Sequence, residues 1–146
     1  MSSPKTSQRH RAREIALQIL YSFENATVPR PADAAELARV IRGHFDHFQV
    51  STEAREFAAE LVAGSLREQA ALDAWLDEHS SNWKVSRMAA IDRCILRLAA
   101  LEMRHFPDIP KAVTIDEAVE LAKKFGEKEA PQFVNGLLDA LPVDKK

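Results

Sequence analysis

The first 13 residues concentrate positive charge in a pattern that suits phosphate binding. They contain Lys5, Arg9, His10, Arg11 and Arg13 but no acid, whereas the whole chain of 146 residues has a formal charge of -2. The segment runs directly into an amphipathic pattern, so the charge would lie on a helix. A patch of one sign on an otherwise acidic protein is typical of a nucleic-acid contact. Basic chain ends are also common as solvated termini, and charge alone leaves both interpretations open.

Residues that could support catalysis or metal binding lack partners at useful spacings. His44 and His47 are three residues apart, yet two ligands without a nearby third make a weak metal site. Cys94 is the only cysteine, and among apolar neighbours a thiol usually acts as a small hydrophobic group. The four glycines are isolated, so neither a phosphate loop nor a dinucleotide fingerprint is present. We therefore predict a binding protein without catalytic residues, metal or cofactor.

Two further side chains could be functional or structural. Glu102 falls in the apolar face of its predicted helix, and a buried carboxylate needs a partner. No second acid or histidine lies beside it at catalytic spacing, so a structural role is favoured. Phe133 projects to the side of the apolar stripe of the last predicted helix and should be partly exposed. An aromatic ring near a cationic surface can stack on bases, but an exposed phenylalanine is often incidental.

The composition is that of an ordinary globular domain. Hydrophobic residues make up 46% of the chain and charged residues 29%, and this length is typical of one domain. No apolar run is long enough to cross a bilayer, and no signal segment precedes the amphipathic pattern. We therefore expect a cytoplasmic protein.

The elements that must position these residues are predicted to be helices throughout. Strand signals are absent, and no proline occurs between Pro31 and Pro107. The first helix should run from about Ser7 to Asn25, with apolar residues at spacings of three and four. Its predicted buried positions are Ala12, Ile15, Ala16, Ile19, Leu20 and Phe23. The next four predicted helices, up to Leu101, have apolar positions that include Leu37, Val40, Ile41, Phe45 and Phe48; Phe57, Leu61 and Val62; Leu72, Trp75 and Leu76; and Met88, Ile91, Cys94, Ile95, Leu98 and Leu101.

Capping signals set the predicted helix ends. Ser51 or Thr52 should begin the third helix, and Ser86 the fifth, which is apolar enough to be central. Thr114 and Glu117 fit a capping box at the start of the sixth helix, and Gly126 fits its end. Pro131 opens the seventh helix, whose stripe is Val134, Leu137, Leu138 and Leu141.

Several segments resemble one family. T-I-D-E-A-V-E-L-A-K-K-F-G from Thr114 and F-V-N-G-L-L-D from Phe133 resemble the C-terminal half of the NusB family of bacterial antitermination factors. R-H-R-A-R-E-I-A-L-Q-I-L-Y from Arg9 is similar to the arginine-rich first helix of that family. I-D-R-C-I-L-R-L-A from Ile91 is similar to its central helix. The resemblance covers about Arg9 to Leu141.

The resemblance implies an all-α fold, a bundle of about seven helices in two packed sub-bundles. Residues 1–146 would form one RNA-binding domain, with residues 1–7 flexible. The implied function is binding of boxA RNA in nascent ribosomal RNA transcripts, without enzymatic activity. The implied partner is NusE, a ribosomal small-subunit protein, and the pair would join other Nus factors on RNA polymerase.

The resemblance also carries roles to individual positions. The implied RNA-binding residues are Arg9, His10, Arg11, Arg13 and Phe133. The implied partner-binding residues are Tyr21, Asp92 and Glu129. His10 stands where many relatives carry arginine, which removes a permanent charge and makes part of the RNA attraction pH-dependent. Leu101 stands where tyrosine is frequent.

Other interpretations stay open at this point. The chain could be a protein-only adaptor whose basic end is incidental, in which case partner binding would be independent of RNA. It is also similar to the helical domain fused to ribosomal RNA cytosine methyltransferases, although no cofactor-binding domain follows. The sequence does not distinguish a monomer from a homodimer.

Overall fold

Helices form all of the regular structure in the described part of the chain. The computed structural model describes residues 4–25, 29–45, 50–81 and 83–143, with backbone only for residues 4–7. Within these ranges the α-helices are α1 Pro4–Glu24, α2 Ala34–Phe45, α3 Thr52–Arg67, α4 Gln69–His79, α5 Ala90–His105, α6 Lys111–Phe125 and α7 Ala130–Ala140. The predicted all-α bundle of about seven helices is confirmed.

The chain divides into two compact units, Met1–Gly64 and Ser65–Lys146, and the boundary falls within α3. The first unit contains α1, α2 and most of α3. The second contains the end of α3 and all of α4 to α7. This division agrees with the two sub-bundles that the resemblance implied.

The apolar stripe of α1 determines which side of this helix is buried. It begins three residues before the predicted start and ends one residue before the predicted end. All six positions predicted to be buried are buried. Of the segment predicted to be flexible, residues 1–3 lie outside the described residues, and residues 4–7 continue the helix.

Helices α2 and α3 complete the first unit. Ile41 and Phe45 are buried on α2, whereas the predicted position Phe48 lies outside the described residues. The Ser51 hydroxyl accepts a hydrogen bond from the Ala54 N–H at 3.1 Å, which confirms Ser51 as the cap of α3. Phe57, Leu61 and Val62 are buried on α3 as predicted.

Helix α5 is the centre of the second unit. Every residue from Cys94 to Met103 is buried, and α4, α6 and α7 all contact this helix. Its position confirms the central role predicted from its wide apolar surface. Arg97 is among the buried residues, and its guanidinium pairs with Asp73 of α4 through Nε–Oδ1 at 2.7 Å and Nη2–Oδ2 at 2.9 Å.

Two predicted caps are wrong. Ser86 lies in a short 3-10 turn, Val85–Arg87, and α5 begins only at Ala90. The buried side chains of Val85 and Met88 anchor this turn, and the Met88 N–H donates to the Val85 carbonyl at 3.1 Å.

The Thr114–Glu117 capping box is also wrong, because α6 begins at Lys111 directly after Pro110. Thr114 is buried one turn inside the helix and donates its hydroxyl hydrogen to Glu102 Oε1 at 3.4 Å. Its position therefore supports the buried carboxylate predicted on α5. The other end of α6 is as predicted, with the Gly126 N–H donating to the Ala122 carbonyl at 2.9 Å, and Pro131 lies in the first turn of α7.

Candidate nucleic-acid and partner sites

Helix α1 divides its basic residues between two environments. The guanidinium carbon of Arg9 lies 4.8 Å from the centre of the Phe57 ring, and that of Arg13 lies 5.3 Å from it. Both arginines face α3 because residues four apart share one side of a helix. A guanidinium over an aromatic ring at these distances is a cation–π contact. Phe57 therefore serves as a platform for two of the predicted RNA-binding arginines.

Arg13 is buried, with only 3% of its area exposed. It lies four residues before the buried Leu17, so it belongs to the apolar side of α1. This spacing could have signalled its burial, because a long side chain can pack its stem against a core. Its predicted contact with RNA remains a prediction, and the more accessible residues of the cluster are Arg11, which is exposed, and Arg9 and His10, which are half-buried.

The exposed face of α1 carries predicted residues of both kinds. Arg11, Gln18 and Tyr21 are exposed, Tyr21 with 37% of its area. Positions 11 and 21 are about 80 degrees apart around the helix and about 15 Å apart along it. One side of α1 therefore presents a predicted RNA-binding arginine and a predicted partner-binding tyrosine.

In the second unit, one open pocket brings three predicted residues together. It has a volume of about 300 Å³, and Asp92 of α5, Glu129 and Phe133 line it. Its other walls include Trp83, Met88 and Glu127. The predicted RNA-binding aromatic ring and the two predicted partner-binding acids in this unit therefore share one surface. Phe133 is half-buried, as its position beside the apolar stripe predicted.

Asp92 is the most unusual group in this pocket. Its Oδ1 atom is buried and has no hydrogen-bond partner among the described residues. Burial of the carboxylate, and secondarily the negative charge of Glu127, raise the pKa of Asp92 above its ordinary value. An unpaired buried oxygen costs stability unless a donor from another molecule satisfies it.

The pocket offers two kinds of contact. The rings of Trp83 and Phe133 can stack on flat groups, and the carboxylates of Asp92 and Glu129 accept N–H donors. Amino groups of nucleobases and basic side chains of a protein both present such donors. Trp83, with 54% of its area exposed, was missed by the sequence analysis. Its position in an irregular segment between α4 and the 3-10 turn gave no periodic signal.

The candidate metal and cysteine residues fall elsewhere. Among the described residues, no group of three or more His, Cys, Asp or Glu side chains is arranged to hold a metal ion. His44 lies on α2 with Nδ1 at 3.4 Å from the Val40 carbonyl, and His47 lies outside the described residues. Cys94 is buried in α5, as predicted. Within the ranges that the structure describes, every helix is too short or too polar to cross a membrane.

Comparison with known proteins identifies close relatives. Residues 10–142 match the model of the NusB family. The Transcription antitermination protein NusB of Geotalea uraniireducens (strain Rf4) is 44% identical over 139 residues, which cover 92% of this chain and 94% of the relative.

Solved structures share the fold. T. maritima NusB superposes with a TM-score of 0.77 at 29% identity, covering 97% of this chain and 92% of that protein. A chain from a crystal structure of the antitermination factors NusB and NusE in complex with dsRNA superposes with a TM-score of 0.74 at 24% identity. That match covers 92% of this chain and 96% of the other.

Proposed function

The chain belongs to the NusB family, and from that premise we propose that it is a transcription antitermination factor that binds boxA RNA of nascent ribosomal RNA transcripts together with NusE. Its relatives carry the name of transcription antitermination proteins. A structure with the same fold contains NusB, NusE and dsRNA. The proposed role is one of binding without catalysis, in the cytoplasm, within a complex of other Nus factors and RNA polymerase.

The observation that carries the RNA part of the proposal is the exposed basic end of α1. Arg11 is exposed and Arg9 and His10 are half-buried on a helix whose other side is anchored in the core. A rigid helix holds cationic groups in place for phosphates, and Phe133 in the second unit offers a ring for stacking. Arg13 would contribute mainly through its contact with Phe57.

The partner part of the proposal rests on Tyr21, Asp92 and Glu129. Tyr21 is exposed on α1, while Asp92 and Glu129 line the pocket that also contains Phe133. A donor from NusE would satisfy the unpaired Oδ1 of Asp92. Since Phe133 lines the same pocket, RNA and NusE would meet there, and each would strengthen binding of the other.

Fluorescence anisotropy of a labelled boxA RNA tests this function. The protein is titrated alone and with NusE, across a salt series, beside a scrambled RNA of the same length. We expect selective binding that tightens with NusE and weakens linearly in log affinity against log salt. Equal affinity for both RNAs in the presence of NusE would contradict the proposal.

An arginine substitution locates the RNA contact. Arg11→Ala should weaken boxA binding about three- to tenfold and reduce the magnitude of the salt slope by about 0.7, as loss of one phosphate contact requires. Arg39→Ala, an exposed cation on α2, is the matched control and should leave the slope unchanged. A slope that is identical in Arg11→Ala and the unsubstituted protein would remove Arg11 from the interface.

A second function, that of a protein-only adaptor, is favoured by one observation. Arg9 and Arg13 contact Phe57, so part of the basic cluster has a structural role. On this alternative, NusE would bind equally well with and without RNA, and Arg11→Ala would leave that affinity unchanged. Titration of labelled NusE with the protein, in the presence and absence of boxA RNA, therefore separates the two functions.

A further inference from the structure

A cavity in the first unit places acidic side chains beside one of the arginines proposed to contact RNA. Its volume is about 210 Å³. It is lined by Gln8 and Arg9 of α1 and by Glu53, Glu56, Phe57 and Glu60 of α3. Three acidic residues therefore line the same cavity as one arginine, and the formal charges of the lining residues sum to -2.

The three glutamates form one row. Positions 53, 56 and 60 are three and four residues apart, so they lie on one side of α3. All three are exposed. We call Glu53, Glu56 and Glu60 the acidic row. The row borders the cavity that Gln8 and Arg9 of α1 also line.

Arg9 and the preceding residue, Gln8, each contact the segment that contains α3 and its cap. Its guanidinium carbon lies 4.8 Å from the centre of the Phe57 ring. The neighbouring Gln8 accepts a hydrogen bond through Oε1 from the Ser51 hydroxyl at 2.8 Å, and Ser51 caps α3. The beginning of α1 is thus tied to the beginning of α3.

A phosphate that approaches Arg9 through this cavity also approaches the acidic row. Carboxylates within about 8 to 10 Å repel it, because screening by physiological salt acts over that distance. Arg11 is about 200 degrees from Arg9 around α1 and is exposed on another side. The row therefore opposes phosphate binding at Arg9 more strongly than at Arg11.

Resting on the RNA-binding function proposed above, we infer that Glu53, Glu56 and Glu60 are specificity determinants that keep Arg9 from binding the RNA backbone indiscriminately. A single strand of any sequence presents phosphates, so backbone contacts alone do not select a sequence. The acidic row lowers the contribution of backbone phosphates to the affinity, which is common to RNAs of every sequence. Contacts to bases then decide which RNA is bound.

The test uses Glu53→Gln, Glu56→Gln and Glu60→Gln combined, with a labelled scrambled single-stranded RNA as probe. Anisotropy titrations across a salt series should show about three- to tenfold tighter binding of the scrambled RNA at about 0.1 M salt. The salt slope should steepen by about 0.7, which is one additional phosphate contact on a single strand. The ratio of boxA to scrambled affinity should fall.

Two controls separate the acidic row from a general change in charge. Glu78→Gln, Asp116→Asn and Glu120→Gln combined remove the same charge from exposed positions in the second unit. Arg9→Gln should weaken binding of the scrambled RNA more in the triple-glutamine protein than in the unsubstituted protein, and should cancel the gain of the triple variant. Glu56→Gln alone, a milder variant, should give a smaller gain of the same sign, and circular dichroism confirms that each variant is folded.

The outcomes are distinct from those of the function test. An equal gain in the charge-matched control, a gain that persists with Arg9→Gln, or no gain at low salt would each overturn the inference. None of these results depends on boxA, because the probe is the scrambled RNA. Failure of boxA selectivity with NusE, by contrast, would count against the proposed function and leave the effect of the row on backbone binding measurable.

Discussion

At the scale of single residues, Asp92 is an unfavourable group in the free protein, and in the proposed complex with NusE it would gain a hydrogen-bond donor. Its Oδ1 atom is buried without a hydrogen-bond partner among the described residues, and Glu127 adds electrostatic repulsion. These effects raise the pKa of Asp92 and disfavour its ionised form. A functional site often retains such an unfavourable group because a ligand satisfies it.

Asp92→Asn should therefore raise the melting temperature at neutral pH. A carboxyl group whose pKa is higher in the folded than in the unfolded state destabilises the fold when ionised, and this cost disappears as the pH falls through the folded pKa. The gain in melting temperature of Asp92→Asn over the unsubstituted protein should accordingly shrink between neutral and acidic pH. The same substitution should weaken binding of NusE. Melts at several pH values check this, with the exposed Asp116→Asn on α6 as the control. A lower melting temperature for Asp92→Asn at neutral pH would contradict it.

Two glycines of the second unit, Gly126 and Gly136, make a matched pair. A Cβ atom at Gly126 would lie 2.7 Å from the Ala130 Cβ and 2.9 Å from the Ala122 carbonyl oxygen, whereas one at Gly136 would meet nothing within 4 Å. Gly126 is thus required by the close approach of α6 and α7. Gly126→Ala should destabilise the protein by about 1 to 3 kcal/mol.

Gly136→Ala on α7 should have the opposite effect, stabilising the protein by up to about 1 kcal/mol because alanine is the better helix former. Urea denaturation of both variants measures the difference. If the two substitutions changed the free energy of unfolding equally, steric crowding at Gly126 would not be its cause.

At the scale of elements, a largely buried ion pair between Arg97 and Asp73 links α5 with α4. The Arg97 guanidinium donates two hydrogen bonds to the Asp73 carboxylate. The side chain of Arg97 is 8% exposed and that of Asp73 is 25% exposed. Removing the carboxylate takes this bidentate contact away from a largely buried guanidinium.

Asp73→Asn should therefore lower the free energy of unfolding by about 2 to 3 kcal/mol, below the range for a fully buried pair because Asp73 is partly exposed. Glu120→Gln, which breaks the exposed pair with Lys123 at 3.3 Å, is the control and should change stability by less than about 1 kcal/mol. Chemical denaturation measures both. Similar losses for the two variants would show that burial does not set the strength of the Arg97 pair.

At the scale of the whole molecule, the sequence predicted the helices better than their capping residues. Apolar spacing identified the buried stripe of α1 and the central position of α5, because burial follows a period that local sequence displays. Ser86 and Thr114 were misassigned as caps because tertiary contacts took precedence. Thr114 supplies a hydroxyl to Glu102, and the buried neighbours of Ser86 favour a 3-10 turn.

The candidate sites were predictable in part. The charge of α1 was visible in the sequence, but the burial of Arg13 depends on Phe57, which is far away in the chain. The pocket of Asp92, Glu129 and Phe133 also joins separate segments, so the family resemblance could name these residues without showing that they share one surface. The exposure of Trp83 and the cavity that the acidic row shares with Arg9 depend on tertiary structure. No local sequence pattern displays either of them.

The burial of Cys94 makes its thiol a probe of structural opening in the second unit. This thiol is the only one in the chain and lies within α5, inside the core. A thiol reagent reaches such a group only when the surrounding structure opens, so its labelling rate reflects the free energy of that opening. A cysteine introduced on the surface would react much faster, so a fluorophore could be attached there selectively. The slower labelling of Cys94 would then measure how often the core opens.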